Sequence, residues 1–293
     1  MAFMENNPAA KSNLPVHVYA ATGRTTIFKT LNKICKEFPI AHELGFRFAE
    51  RNIRARYRQS LLGILWALVP PLATAAIWIF LNQKNIVNLQ YTGSNYPLFV
   101  ITGTMLWSVF SSAVIMPIQT LQANAPILVK VNFPRESLLI TAFYEIVFNT
   151  VITFIIVVAE MIIFKVPLTA TALLFFPAVL LLILLGMCFG LMVLPLALLY
   201  KDVQFALPVF LQLAMYATPV VYASTKYDGA LSFLNINPVT PVLTSGRDWL
   251  LGISSHPDFM VLGLITLITI FILVMGFVLQ RIAMEILIER LGT

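Results

Sequence analysis

The sequence has few charged residues. Only 11% of its 293 residues are Asp, Glu, Lys or Arg, whereas 59% are hydrophobic. A soluble domain carries about a quarter charged residues, so this composition excludes a soluble globular chain and a disordered one. The mean hydropathy of +0.87 indicates a protein that crosses a membrane several times.

Cysteine and histidine are also scarce. Cys35 lies in a basic segment and Cys188 in an apolar run, so no disulfide is expected. The three histidines are scattered and lack ligand spacing, so no metal site is expected. The sequence lacks the phosphate-binding motif GxxxxGKS/T. We therefore expect no cofactor and no enzymatic activity in this chain, and ATP-driven work would need a partner that binds the nucleotide.

Long apolar runs predict an all-α fold with six membrane-spanning helices. A helix needs about 20 apolar residues to cross a bilayer. The predicted spans are 61–81, 97–118, 138–164, 168–199, 203–222 and 259–279. The fourth is long enough to be tilted or broken at Gly186, Gly190 or Pro195. Residues 1–37 are predicted to form a flexible cytoplasmic tail, and residues 38–293 a single transmembrane domain.

The distribution of basic residues predicts the orientation. If the N-terminus is cytoplasmic, fifteen of the 19 Lys and Arg residues lie on the inner side. Positive charge accumulates on the cytoplasmic side of membrane proteins, so both termini are predicted to be cytoplasmic in a multi-pass inner-membrane protein. Anionic lipid headgroups explain the net charge of +6 without any nucleic-acid partner.

Residues 39–59 are predicted to form an amphipathic helix in the cytoplasmic interface. Six charged residues fall on one arc at helical spacing: Glu43, Arg47, Glu50, Arg51, Arg54 and Arg58. The apolar residues Phe46, Phe48, Ala49, Ile53 and Tyr57 fall on the other side. The pairs Glu43–Arg47 and Glu50–Arg54 have the i, i+4 spacing of helical ion pairs. One interpretation is a membrane anchor. The other is that an Arg among Arg54, Arg56 and Arg58 binds a phosphate or pyrophosphate headgroup, because its planar fork binds oxyanions bidentately.

Residues 119–137 are too apolar for a free loop and too polar for a span. We expect a short, exposed docking helix here, with a plain connector as the alternative. The polar residues expected to face the cytosol are Asn124, Lys130, Asn132, Arg135 and Glu136. Two acids, Glu145 and Glu160, fall within the third span. An acid inside a membrane is a functional hypothesis by default, although a structural role is the alternative for both.

Three motifs resemble a known family: RARYRQSLLGILWALVPPL from Arg54, ANAPILVKVNFPRE from Ala123 and YKDVQFALPVFLQLAMYATPVVY from Tyr200. They are similar to the membrane subunits of type-2 ABC exporters, in particular the polysaccharide exporters for O-antigen, capsule and teichoic acid. The resemblance runs from about residue 40 to the C-terminus.

The resemblance implies a homodimer that pairs with a separate ATP-binding subunit carrying ATP and Mg²⁺. It implies export of a lipid-linked polysaccharide, with membrane lipids as further contacts. The residues that would contact the ATPase are Asn124, Lys130, Arg135 and Glu136. It also implies two short re-entrant helices within residues 224–257. There, Asn237 followed by Pro238 is a helix start and Gly252 a helix stop.

A polymer exporter needs a path on which sugars can slide, and aromatic rings can bind sugar faces without fixing one position. The candidates for lining this channel are Trp66, Trp78, Phe210 and Tyr216. Lipid-facing packing is the alternative for each. Other functions left open are a type-2 exporter of a small lipid or drug, a secondary transporter, and a membrane enzyme of polymer synthesis.

Overall fold

The computed structural model of the chain describes residues 27–58, 63–86, 95–131, 133–167, 169–222, 236–253 and 258–291. Within these residues the fold is all-α, as predicted. Two 3₁₀ turns, Gly63–Ala67 and Ala170–Leu174, precede the second and fifth of eight helices described there. The helices are α1 (Ile27–Tyr57), α2 (Val69–Gln83), α3 (Tyr96–Lys130), α4 (Glu136–Ile163), α5 (Phe175–Leu199), α6 (Lys201–Ala217), α7 (Val239–Leu251) and α8 (Phe259–Leu291).

Four stretches of the described chain are long and apolar enough to cross a bilayer. They are Tyr96–Asn124, Glu136–Ile163, Ala170–Leu199 and Phe259–Val278. The helices at the predicted first and fifth spans, α2 and α6, have only 15 and 17 residues. Multiple membrane crossings are therefore supported by length and composition, whereas the number six stays a prediction.

Helix α3 lies at the centre of the fold and packs against α2, α4 and α5. Two glycines of α5 lie close against α3. A Cβ atom on Gly186 would lie 2.6 Å from the Cβ of Ala113, and one on Gly190 would overlap the carbonyl oxygen of Val114. Small residues at this spacing let two membrane helices approach closely. Since α5 is continuous from Phe175 to Leu199, these glycines are contact positions, and the predicted alternative of a helix break is wrong.

Helix α1 packs against the first turns of α4. A Cβ atom on Gly45 would lie 2.7 Å from the Cγ2 of Ile140, and the Thr141 hydroxyl donates to the Gly45 carbonyl at 3.1 Å. The helix begins at Ile27, so the predicted end of the flexible tail at residue 37 lies inside α1. Residues 1–26 of that tail lie outside the described residues.

The predicted ion pairs on α1 are confirmed. Arg47 Nη2 lies 2.7 Å from Glu43 Oε1, and Arg54 Nη2 lies 2.5 Å from Glu50 Oε1. All four side chains are exposed, and exposed pairs of this kind contribute only a few tenths of a kcal/mol, about 0.3–0.5. They help to keep α1 helical but do not fix its position in the fold.

The connection between α3 and α4 differs from the prediction. Instead of forming a separate short helix, residues 119–130 continue α3 to Lys130, beyond the predicted end of the second span at residue 118. A short extended turn follows, and α4 begins at Glu136. The expected independent docking helix is therefore wrong, because one helix runs from Tyr96 to this turn.

Helix α7 begins and ends where the sequence predicts. The Asn237 side-chain oxygen accepts a hydrogen bond from the Val239 backbone N–H at 3.0 Å. Gly252 ends the helix with φ of 65°, a left-handed conformation that glycine adopts without strain. Residues 223–235 and 254–257 lie outside the described residues, so the second re-entrant helix stays a prediction, as does entry of α7 into the membrane.

Candidate functional site

A groove of about 580 Å³ runs along one side of α3, between α2 and α6. Its wall on α3 extends from Thr104 to Gln119. At about 1.5 Å per residue this distance is roughly 22 Å, compared with a hydrocarbon core of about 30 Å. The groove therefore runs along most of the depth of a membrane.

The two helices that flank the groove are short and carry prolines. Pro70 and Pro71 lie in the first turn of α2, where the missing backbone donors cost nothing, and both line the groove. Pro208 lies inside α6, also against the groove. A proline inside a helix removes a backbone hydrogen bond and prevents regular packing. Both flanking helices are therefore short, and each presents proline to the groove.

Aromatic rings line both flanks of the groove. Trp66 and Trp78 come from the α2 side and Tyr216 from α6, and the rings of Trp78 and Tyr216 lie 6.1 Å apart between centroids. Trp66 and Tyr216 are about half exposed. Trp107, on α3, also lines the groove but is buried and was missed by the sequence analysis.

Phe210 does not join the other three predicted aromatic residues. Its side chain is 66% exposed and lines a separate, apolar depression with Phe189 and Val193 of α5. It is absent from the described lining of the groove. Helical spacing explains the difference, because Phe210 and Tyr216 are six residues apart on α6 and therefore lie on different faces.

The α3 side of the groove is polar. Hydroxyl and amide side chains point into it from α2, α3 and α6: Thr74, Thr104, Ser108, Ser111, Ser112, Gln119 and Gln212. The sequence analysis missed these residues. Their signal was present, because positions 104, 108, 111, 112 and 119 recur with helical spacing in an otherwise apolar run.

A buried carboxylate lies next to the end of the groove that Met116 and Gln119 line. Glu145 of α4 is 1% exposed, and its two oxygens accept from Arg56 at 2.6 Å and from Asn52 at 2.8 Å. Arg56 also contacts the sulfur of Met116, which lines the groove. An acid at this depth needs such partners, because an unpaired buried charge is strongly unfavourable. Glu145 therefore has a structural role, joining α1 to α4.

The three arginines predicted to bind a headgroup have different surroundings. Arg56 is paired with Glu145, and Arg54 is paired with Glu50 on the exposed surface of α1. Arg58 follows the last turn of α1, and its side chain is exposed. Of the three side chains, Arg56 is therefore the least available to an anionic ligand.

Two of the four residues predicted to contact an ATPase are buried. Asn124 is 0% exposed; it donates to the Thr120 carbonyl and accepts from Arg51 at 2.6 Å. Glu136 is 5% exposed in the first turn of α4, where a negative charge stabilises the helix N-terminus. The expectation that these two side chains face the cytosol is wrong. Lys130 is the last residue of α3, and Arg135, half-buried, precedes α4.

A buried arginine lies next to Gly103, at the end of the groove near Thr104. Arg247 of α7 is 2% exposed and donates to the carbonyls of Pro219 and Val220, at 3.1 and 3.0 Å. Its guanidinium lies 3.6 Å from the centre of the Phe99 ring on α3. Because α6 ends just before these carbonyls, the arginine ties α7 to the ends of two groove helices. The sequence analysis gave this residue no role.

Comparison with known proteins identifies the family. Residues 46–251 match the model of the ABC-2 type transporter family. The chain belongs to this family. It is therefore a multi-pass membrane subunit of a transporter, and the resemblance drawn from the three motifs is confirmed.

Two similar proteins share one name. An O-antigen export system permease protein RfbA of Klebsiella pneumoniae is 26% identical over 226 residues, covering 71% of this chain and 82% of that protein. The protein of this name from Myxococcus xanthus is 26% identical over 200 residues, covering 67% and 75%.

Proposed function

We propose that this chain is the permease subunit of an ATP-driven exporter that moves a lipid-linked polysaccharide across the inner membrane. The observation that carries the proposal is the groove, because it runs at membrane depth and is lined by aromatic rings and by hydroxyl and amide groups. Rings bind the apolar faces of sugars, and the polar side chains bind their hydroxyls. The names of the Klebsiella and Myxococcus relatives support the same cargo.

The proposed assembly contains two copies of the chain. Trp66 and Tyr216 flank the groove and are 56% and 47% exposed. Large aromatic surfaces of this kind mark contact or ligand sites. A second copy facing the first would close the groove into a path between the two α2–α6 pairs.

Energy would come from a separate ATP-binding cassette subunit that holds ATP and Mg²⁺. We place its contact at the turn between α3 and α4, next to Lys130 and Arg135. Since α3 is one helix from this turn to the groove, a displacement at the turn is carried directly to the groove wall. With both termini cytoplasmic, as the basic residues predict, this turn lies on the side where ATP is available.

This contact can be tested by charge reversal at the turn. Arg135→Glu should weaken co-purification of the ATP-binding subunit several-fold while the membrane level of the permease is unchanged, because Arg135 lies beside α4 rather than in the core. Asn85→Asp, at a turn on the opposite side of the membrane in this orientation, is the control. Co-purification at wild-type strength with Arg135→Glu would exclude this contact.

The proposed function is tested by depleting the permease in its native cell. We expect surface polysaccharide to disappear and a lipid-linked polymer to accumulate on the cytoplasmic side. The wild-type gene should restore export, whereas it should fail to do so in cells whose ATP-binding subunit carries an inactivated nucleotide site. Unchanged surface glycans after depletion, or export without a functional ATPase, would exclude the proposal.

A further inference from the structure

Five of the seven hydroxyl and amide side chains of the groove differ from other polar side chains in the membrane helices. The remaining two, Thr74 and Thr104, each donate to a carbonyl of their own helix at 3.0 Å. Thr150, Thr153 and Thr266 lie outside the groove, and each hydroxyl donates to a carbonyl of its own helix, at 2.8, 3.0 and 2.8 Å. Such a bond satisfies the hydroxyl locally. The hydroxyls of these three residues therefore need no other hydrogen-bond partner.

Five groove residues make no side-chain hydrogen bond within the described part of the chain. We refer to them as the polar stripe: Ser108, Ser111, Ser112, Gln119 and Gln212. The three serines are half-buried and the two glutamines are exposed. Thr102 and Thr120 on α3 also lack a partner, but both are fully buried and lie outside the groove lining. Among the five residues of the polar stripe, only the Ser111 hydroxyl is a buried atom without a partner. All five line the groove and can be reached by a molecule in it.

The chemistry of the polar stripe matches uncharged sugars. A serine hydroxyl and a glutamine amide each both donate and accept, as a sugar hydroxyl does. From Ser108 to Gln119 the stripe extends about 16 Å along α3, so it can contact several consecutive sugar residues. Hydrogen bonds between neutral groups are weak on balance, and weak, repeated contacts allow a chain to slide.

The same lining is unfavourable for a charged polymer. None of the described residues that line the groove is Asp, Glu, Lys, Arg or His. A carboxylate or phosphate at membrane depth needs a compensating charge or strong donors. The Arg56–Glu145 ion pair, next to Met116 of the groove, does not supply a compensating charge, because Arg56 is already neutralised by Glu145. A repeat unit with an acidic sugar would therefore be desolvated along the groove without a partner.

We infer that the polar stripe is the specificity-determining surface of the transporter and that its cargo is a neutral glycan. This inference rests on the proposed function. It names the side chains that recognise the polymer and the chemical class of polymer that they accept, an uncharged polyhydroxyl chain rather than a polyanion.

A binding experiment uses the tryptophans of the groove. Three of the four tryptophans in the chain, Trp66, Trp78 and Trp107, line it. The full chain with its ATP-binding subunit, in nanodiscs and with Trp249→Phe, is titrated with a dextran oligosaccharide and with an oligogalacturonate of equal length. Dextran should change the fluorescence and oligogalacturonate should not. An equal or stronger response to oligogalacturonate, or no response to dextran, would overturn the inference.

A matched pair of triple variants tests the stripe itself. Ser108→Ala with Ser111→Ala and Ser112→Ala should weaken dextran binding and export about fivefold or more, since three hydrogen-bonding groups are lost. Thr150→Val with Thr153→Val and Thr266→Val removes three hydroxyls outside the groove and should leave both unchanged. Membrane level and co-purification of the ATP-binding subunit show that each variant assembles. Equal effects of the two triples, in variants that assemble, would overturn the role of the stripe.

Analysis of the polymer trapped by depletion separates this inference from the proposed function. A neutral repeat unit supports both. An acidic repeat unit that is exported by the wild-type protein would overturn the inference while the proposed function stands. If depletion traps no polymer, the proposed function fails, and the inference fails with it.

Discussion

The two faces of α3 have opposite construction. Towards α5, Ala113 and Val114 are fully buried and touch the backbone of Gly186 and Gly190. Towards the groove, the serines of the polar stripe are half-buried and make no hydrogen bond within the described chain. Both faces belong to the same stretch of helix. The face towards α5 is covered by the α5 backbone, and the face towards the groove is open.

The difference shows which parts of the helix stabilise the fold. Helix association in a membrane depends on close packing of small residues, because lipid is as apolar as the side chains. The α5-facing side therefore carries most of the packing energy of α3. The groove-facing side contributes little, so its residues are free to serve the cargo. Variants on the two faces should separate stability from transport.

The largest effect on stability is expected at the α5 contact. Gly190→Leu would force a side chain into the Val114 carbonyl, which cannot move without shifting α3. Overpacking of this kind costs about 3 kcal/mol or more, so the variant should fail to accumulate in the membrane. Gly263→Leu is the control, because a Cβ atom on Gly263 meets no atom within 4 Å. Normal accumulation and thermal stability of Gly190→Leu would show that the two helices are not tightly packed.

A somewhat smaller loss is expected at Arg247, at the end of the groove near Thr104. Arg247→Met keeps the volume of the side chain but leaves the carbonyls of Pro219 and Val220 without this donor. Losing hydrogen bonds to a charged group should lower the free energy of unfolding by about 2 kcal/mol.

Thermal unfolding in detergent provides the measurement for Arg247. Arg247→Lys retains a charge but not the planar fork, so its stability should lie between those of Arg247→Met and the wild type. If all three proteins unfold at the same temperature, Arg247 does not hold α7 in place.

Several features of this fold are readable from the sequence because they depend on neighbouring residues alone. The start of α7 just after Asn237 and Pro238 and its end just before Gly252 follow from local backbone chemistry. The pairs Glu43–Arg47 and Glu50–Arg54 follow from helical spacing. The apolar runs indicate the membrane helices for the same reason, since span length is a local property.

Other features depend on residues far apart in the chain. Asn124 lies in a polar segment that predicts a cytosolic position, yet it is buried and accepts a hydrogen bond from Arg51 of α1. Arg247 looks like a loop cation, yet it lies under Phe99 and against Val220. In each case the partner is known only once the helices are assembled. The polar stripe can be predicted only in part, because its helical spacing is visible in the sequence but the groove beside it is not.

A moderate effect is expected from the arginines of α1, with different consequences at neighbouring positions. Arg56→Gln leaves the buried Glu145 carboxylate with only Asn52, so it should destabilise the protein by about 1 kcal/mol, a value reduced by the partial exposure of Arg56. Arg58→Gln should leave stability unchanged, because Arg58 is exposed.

Export tests whether Arg58 also binds a headgroup. We expect Arg58→Gln to reduce export at an unchanged protein level, and Arg58→Lys to restore part of it, since a phosphate still attracts an ammonium. Wild-type export by Arg58→Gln would exclude a headgroup contact at this residue. Equal destabilisation by Arg56→Gln and Arg58→Gln would argue against the Arg56–Glu145 pair.

The smallest effect on stability is expected on the groove flanks, together with a clear loss of transport. Trp78→Ala combined with Tyr216→Ala removes two neighbouring rings, 6.1 Å apart, from the groove. Stability should fall by no more than about 1 kcal/mol, because Tyr216 is about half exposed and Trp78 packs only partly against the core. Export should fall roughly tenfold, since each lost ring contact contributes about 0.5–1.5 kcal/mol.

Phe210→Ala is the matched control, because this ring lies on the same helix as Tyr216 but in a different depression. If Phe210→Ala reduces export as strongly as the double variant, position in the groove does not matter. The distinction between the two faces of α3 would then describe packing alone and not transport.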